Sequence, residues 1–160
     1  MRAPLRLKIL IICHANTSRS IIAEALLKRM LSERALDDRV SVQSGGIAPY
    51  ARDGALVSLD ARLVLRDEGI HIPPDSVATD LKAHRHLITE ADLILAMTAA
   101  QIRMLHAAFP EAAGKDVHTL KAFAGVEGDI EDPAGRDEAF FSACCGEIKT
   151  CLERAIERLV

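Results

Sequence analysis

An α/β fold, in which a parallel sheet is covered by helices on both faces, is the class this sequence predicts. Three observations carry the expectation. Leu7 to Cys13 is an apolar run interrupted only by Lys8, the pattern of a strand buried on both sides. Further short apolar runs alternate along the chain with stretches of helical spacing, which implies right-handed crossovers between parallel strands. Apolar residues make up 49% of the chain while Trp is absent and Tyr50 is the only tyrosine, so aliphatic side chains must fill the interior. At 160 residues the chain is long enough to bury a core without disulfides or a structural metal, and one domain, 1–160, is expected.

Each element has its own signal. Leu7 to Cys13 reads as the first strand, and from Ser20 onward Ile22, Ala25, Leu26 and Met30 follow helical spacing, with Glu24 expected in the first turn, where a helix N-terminus favours negative charge. Val40 to Ser44 reads as a short strand ended by Gly45-Gly46. Leu56 to Glu68 has a helical pattern closed by Gly69 as its C-terminal cap. Pro73-Pro74 marks a loop, a short helix is expected near Arg85 to Thr89, and Asp92 to Met97 forms a third buried strand. Thr98 caps a helix that ends near Phe109-Pro110, Val117 to Leu120 is a fourth strand, 125–135 is a polar loop, and the last helix runs from about Arg136 to Val160. The sequence shows no internal repeat, low-complexity tract or linker.

Charge and cysteine usage narrow the function. The formal net charge of −3, with Lys and Arg scattered among acids, gives no basic stripe for nucleic acid or an anionic membrane surface. Arg2, Arg6 and Lys8 precede an apolar stretch in the manner of a secretion signal, but Ile9 to Ile12 is too short for one and no segment approaches the roughly 20 apolar residues of a membrane span. A cytoplasmic protein is expected. Cys13 stands alone and Cys144, Cys145 and Cys151 cluster late in the chain, too uneven for a disulfide framework, and the late three read as small buried helix residues. Nothing in the sequence selects an oligomeric state.

The run Cys13-His14-Ala15-Asn16-Thr17-Ser18-Arg19-Ser20 lies between the first strand and its helix, at the sheet edge where ligands of such folds bind. A loop in that place turns backbone N–H groups toward one point, and the helix dipole adds positive potential, which makes a nest for an oxyanion. Arg19 supplies a planar fork matching two phosphate oxygens. The same field favours a thiolate, so Cys13 is the candidate nucleophile, and Ser20 can donate its hydroxyl to the sulfur. Neither G-x-x-x-x-G-K-[ST] nor G-x-G-x-x-G occurs, which argues against ATP and NAD as ligands. Departure of the leaving group from phosphorus needs a proton. Asp132, held out of helix by Pro133, is the candidate acid, and Asp129 and Glu131 read as solvated loop acids.

These residues resemble the low-molecular-weight protein tyrosine phosphatase family. The likeness rests on Cys13 through Arg19-Ser20, Ala23-Glu24, Asp132-Pro133, Ser44-Gly45-Gly46 and the segment Ala91 to Thr98, and it spans nearly the whole chain. It implies a three-layer sandwich with a four-stranded parallel sheet flanked by helices, and catalysis through a phosphocysteine with neither metal nor cofactor. By the same resemblance Cys13 attacks phosphorus, Arg19 and the loop from His14 through Ser18 with Ser20 hold the phosphoryl group, Asn16 and Ser44 brace the loop, and Asp132 protonates the leaving group and then activates water. The partner implied is a phosphorylated protein or peptide. Thr17, and the segment Thr119 to Phe123, are similar to the bacterial protein-arginine phosphatases of the family, whereas its tyrosine phosphatases usually carry Ile or Leu in place of Thr17.

The chain also departs from the family pattern. Ala15 replaces a Gly, at a cost of roughly 1 kcal/mol if its φ is positive, Ser18 replaces a second loop cysteine, Ile21 replaces a Pro, and Ala134 replaces an aromatic that walls the pocket. Without that second cysteine, Cys13 has no neighbour for a protective disulfide, and without the aromatic, which walls the pocket in both subgroups, a wider and less selective mouth is expected. His14 either contacts substrate or faces solvent; His84 and His86 lack a third ligand for a metal; His71, His106 and His118 read as surface or satisfied residues. The rival functions are a tyrosine phosphatase of the same family, an arsenate reductase relaying through further cysteines, and a catalytically silent phosphoprotein-binding module.

Overall fold

The computed structural model describes residues 6–159, so Arg2 and Val160 lie outside it. Strand β1 (Leu7–Cys13) is followed by α1 (Arg19–Glu33), β2 (Val40–Gly46), α2 (Leu59–Asp67), α3 (His86–Glu90), β3 (Leu93–Ala96), α4 (Ala99–Ala108), a 3-10 turn at Pro110–Ala112, β4 (Val117–Thr119), α5 (Leu120–Phe123) and α6 (Glu138–Ile156). The four strands form one parallel sheet in the order β2-β1-β3-β4. Strand order reverses on either side of β1, so the loop that leaves its carboxyl end opens at the switch point of the sheet.

Alternation along β1 divides the core. Ile9, Ile11 and Cys13 face one side, where Ile22, Leu26 and Leu27 of α1 meet Ile148, Leu152 and Ile156 of α6. Leu10 and Ile12 face the other, against Ile88 of α3, Leu105 of α4 and the fully buried Phe109. The expected three layers are present. Among the described residues no helix is long and apolar enough to cross a membrane.

Several boundaries differ from the sequence expectation for local reasons. Strand β2 continues through Gly45 and Gly46, because these pair with Ile12 and Cys13. Helix α2 begins at Leu59 instead of Leu56: Leu56 is engaged in a bridge with Val77, and the Ser58 hydroxyl caps the helix by accepting from the Ala61 amide. Helix α6 begins at Glu138, where the Asp137 carboxylate accepts from the Phe140 amide. The fourth strand stops at Thr119, whose hydroxyl caps the unexpected short α5. Helix α1 starts at Arg19, which puts Glu24 beyond its first turn.

Gly46 fixes how close the loop lies to the sheet. A Cβ there would stand 2.8 Å from the carbonyl oxygen of His14 and 2.8 Å from the carbonyl carbon of Ala15, both backbone atoms that cannot rotate away. Gly46→Ala is therefore expected to destabilise the protein by about 1–3 kcal/mol in chemical denaturation and to weaken binding of inorganic phosphate. Unchanged stability together with unchanged phosphate affinity would show that the loop tolerates the displacement.

Candidate active site

The strand ends of β1 and β2 bring Cys13 beside Gly46, and the chain then turns through His14–Ser18 into α1. The turn depends on Asn16, which has φ 62 and is the loop residue in the left-handed region. Ala15 lies outside that region, so the backbone penalty expected of it does not arise. Asn tolerates this conformation better than most residues, and here its buried side chain is fully used. Its amide nitrogen donates to the hydroxyls of Ser20 and Ser44, 2.8 Å each, and its carbonyl accepts from the Thr79 amide at 2.9 Å. Its backbone N–H points at the Cys13 sulfur, 3.2 Å away.

Proton directions follow from this network. Ser20 accepts from Asn16, which leaves its own O–H for the Cys13 sulfur at 2.8 Å. Ser44 likewise accepts from Asn16 and donates to the Glu24 carboxylate, which also accepts from Lys28. Two donors thus converge on Cys13 Sγ. Ser44 braces the loop as the sequence suggested, and Glu24 and Thr79 are supports that the sequence reading did not identify.

Arg19 is 3% exposed, and its guanidinium ties the loop to the polar segment after α5. One terminal nitrogen donates to the Ile130 carbonyl at 2.7 Å; the other lies 3.7 Å from the Asp132 carboxylate and 3.4 Å from His14 Nδ1. Ile130 is itself anchored, since its amide donates to the Met97 carbonyl at the end of β3. Asp132, half exposed, accepts from the Ala134 amide, which fixes the direction of its carboxyl. Arg19, six positions after Cys13 at the other end of the same loop, is thus paired with Asp132 from a distant segment. Asp129 is exposed as expected but also accepts from the Ala99 amide at the start of α4, a capping role that the loop composition did not reveal.

Thr17 and Ser18 are half-buried, and the Thr17 carbonyl ties the loop to the start of α2 by accepting from the Ser58 amide. Ala134 is exposed. Burial holds His14 below the ordinary histidine range, with Arg19 adding to the effect and Asp132 opposing it. Gln101, fully buried on α4, reaches the same ring at 3.2 Å. It was readable in the sequence only as the last residue of a Thr-x-x-Gln capping box.

The other cysteines are free thiols inside α6. Burial pushes the Cys144 thiol up to about 12 and Cys145 up to about 11, and it raises Cys151 as well. Such thiols stay protonated near neutral pH, which speaks against the thiolate relay that arsenate reduction would need. His84 faces Asp53, His118 faces Asp116, and His71 and His106 are exposed.

Comparison with known proteins agrees with this geometry. The family description "Low molecular weight phosphotyrosine protein phosphatase" matches residues 8–160. A protein-arginine-phosphatase of Geobacillus stearothermophilus is 37% identical over 95% of both chains, and a low-molecular-weight protein-tyrosine-phosphatase of Acinetobacter johnsonii is 32% identical over 90% of this chain and 92% of its own. Among solved structures, the YwlE arginine phosphatase from Geobacillus stearothermophilus superposes with a TM-score of 0.82 at 36% identity, covering 96% of this chain and 92% of that one. A YwlE mutant with a phosphorylated active site serine reaches 0.85 at 28% identity, over 96% of this chain and 95% of that one. The chain thus belongs to the low-molecular-weight phosphotyrosine protein phosphatase family.

Proposed function

We propose that this protein hydrolyses phosphorylated protein side chains through a phosphocysteine on Cys13, and that it favours phosphoarginine over phosphotyrosine. The convergence of the Ser20 hydroxyl and the Asn16 backbone amide on the Cys13 sulfur, in a loop whose Arg19 is paired with Asp132, is the observation that carries the reading. Support for the substrate comes from Thr17 in the loop and from the arginine phosphatases among the relatives.

The chemistry follows from the placement of the groups. Cys13 Sγ attacks phosphorus while the backbone of the loop and Arg19 hold the equatorial oxygens, so an S–P bond forms as the P–N bond of phosphoarginine breaks. The departing guanidine nitrogen takes the electron pair and a proton from Asp132. A water then attacks the phosphocysteine, gives its proton to Asp132, and displaces the thiolate as free phosphate forms. A reducing compartment, the cytoplasm, fits a site that needs a free thiol.

Three outcomes test this. Cys13→Ser should lower turnover on the order of 10⁴-fold while inorganic phosphate still binds, and undiminished turnover would remove Cys13 as nucleophile. Asp132→Asn should slow the release of poor leaving groups by about 10²–10⁴-fold, measured across substrates of graded leaving-group pKa; a loss that is equal for good and poor leaving groups would count against an acid role. Turnover of phosphoarginine and phosphotyrosine peptides is expected to favour phosphoarginine, and Thr17→Ile to move the ratio toward phosphotyrosine by about tenfold. A ratio that does not move would exclude Thr17 as the selector, and a parent enzyme that prefers phosphotyrosine would replace the substrate assignment.

A further inference from the structure

The pairing of His14 with Gln101 joins the loop to α4 through a contact that the reaction above leaves unused. Gln101 has no freedom in its orientation. Its carbonyl accepts from the Met97 amide at 2.8 Å and the Thr98 amide at 3.3 Å, so the end that meets His14 Nδ1 at 3.2 Å is the NH₂ donor. Arg19, the second group near Nδ1 at 3.4 Å, is a donor only. Two donors facing one ring nitrogen require a lone pair there, which places the imidazole proton on Nε2 and leaves the ring neutral.

We infer that Gln101 and His14 are positioning residues for Arg19: Gln101 locks the neutral, Nε2-protonated form of His14, whose Nδ1 lone pair holds the guanidinium in its phosphate-binding orientation, so that protonation of His14 switches the site off. The inference rests on Arg19 being the cation that holds the phosphoryl group.

The surroundings make this a switch. A proton on Nδ1 would set three donors against one another, the imidazolium, the Gln101 amide and the guanidinium, with no acceptor among them. The charged groups facing the ring are Arg19 from α1, whose cation opposes a second positive charge, and Asp132 from the acid loop, which favours one; Cys13, a potential thiolate at the end of β1, precedes it in the chain. Gln101 from α4 is uncharged, and of the two acids that flank Ile130, Asp129 is committed to the Ala99 amide and Glu131 is exposed. Burial and Arg19 together outweigh Asp132, so the neutral ring prevails at neutral pH. The ordinary imidazole titrates near 6.5, and the lowered value puts the loss of Arg19 alignment at a more acid pH.

Gln101→Glu tests the pair, because one carboxylate oxygen can still accept from the Met97 amide while the other turns His14 Nδ1 into a favoured proton site. In this variant the His14 imidazole, followed by NMR, should titrate about one pH unit or more above its wild-type midpoint. The acid limb of kcat/KM for p-nitrophenyl phosphate should rise with it. His14→Asn places an amide oxygen near the position of Nδ1 and cannot titrate, so Gln101→Glu made in that background should no longer move the limb. His14→Leu, which has no acceptor, should have kcat/KM about tenfold below His14→Asn at neutral pH. A proton on Nδ1 of the neutral wild-type ring, one His14 midpoint in both proteins, or a limb that Gln101→Glu still moves after His14→Asn overturns the proposal. The NMR arm needs no turnover, and p-nitrophenyl phosphate is indifferent to the side chain preferred, so failure on phosphoarginine peptides alone counts against the substrate reading and not against the pair.

Discussion

The side chain of Asn16 is the constraint on which the site depends. Its left-handed backbone turns the chain out of β1, and its carboxamide fastens that turn to Ser20 on α1, Ser44 on β2 and the Thr79 amide. No aliphatic residue could replace it, since the same position must tolerate φ 62 and satisfy three partners in a dry interior. Because Asn16 donates to both serines, their hydroxyl protons are free to go outward, one to the Cys13 sulfur and one to Glu24. The polarity of the site is thereby set by an uncharged residue.

Around that point the architecture contributes rigidity. Parallel pairing puts Cys13 level with Gly46, and the missing Cβ of Gly46 lets the loop rest directly on the neighbouring strand. The β3 end holds the acid-bearing segment through Ile130, whose amide is bound by Met97 and whose carbonyl receives Arg19. One buried residue with two backbone bonds thus links the segment that carries Asp132 to the loop that carries Arg19.

How much of this could be read from residues alone depended on range. The strand-loop-helix unit was legible because apolar continuity, the Cys13 to Arg19 spacing and the helix start are all local. Helix starts at Ser58 and Asp137 slipped by a few residues because hydroxyl and carboxylate caps compete with periodicity, and they leave no mark in an apolar pattern. Ala15 was the natural suspect for a strained backbone because it departs from the Gly of the family pattern, yet the left-handed backbone belongs to its neighbour Asn16. Gln101 and Ile130 reach the site from distant parts of the sequence, and nothing in their immediate surroundings announces a tertiary partner.

The burial of Arg19 has a consequence for throughput. A guanidinium that is 3% exposed has given up most of its water, and its carboxylate neighbour Asp132 is 54% exposed and 3.7 Å away, too distant and too solvated to replace that hydration fully. In the proposed reaction a tetrahedral oxyanion bound to Arg19 would restore what the cation lost, and the phosphate released by hydrolysis would do so as well as the ester or amidate that brought it. Accumulating product therefore competes for the loop, and the rate at which phosphate leaves sets a ceiling on turnover.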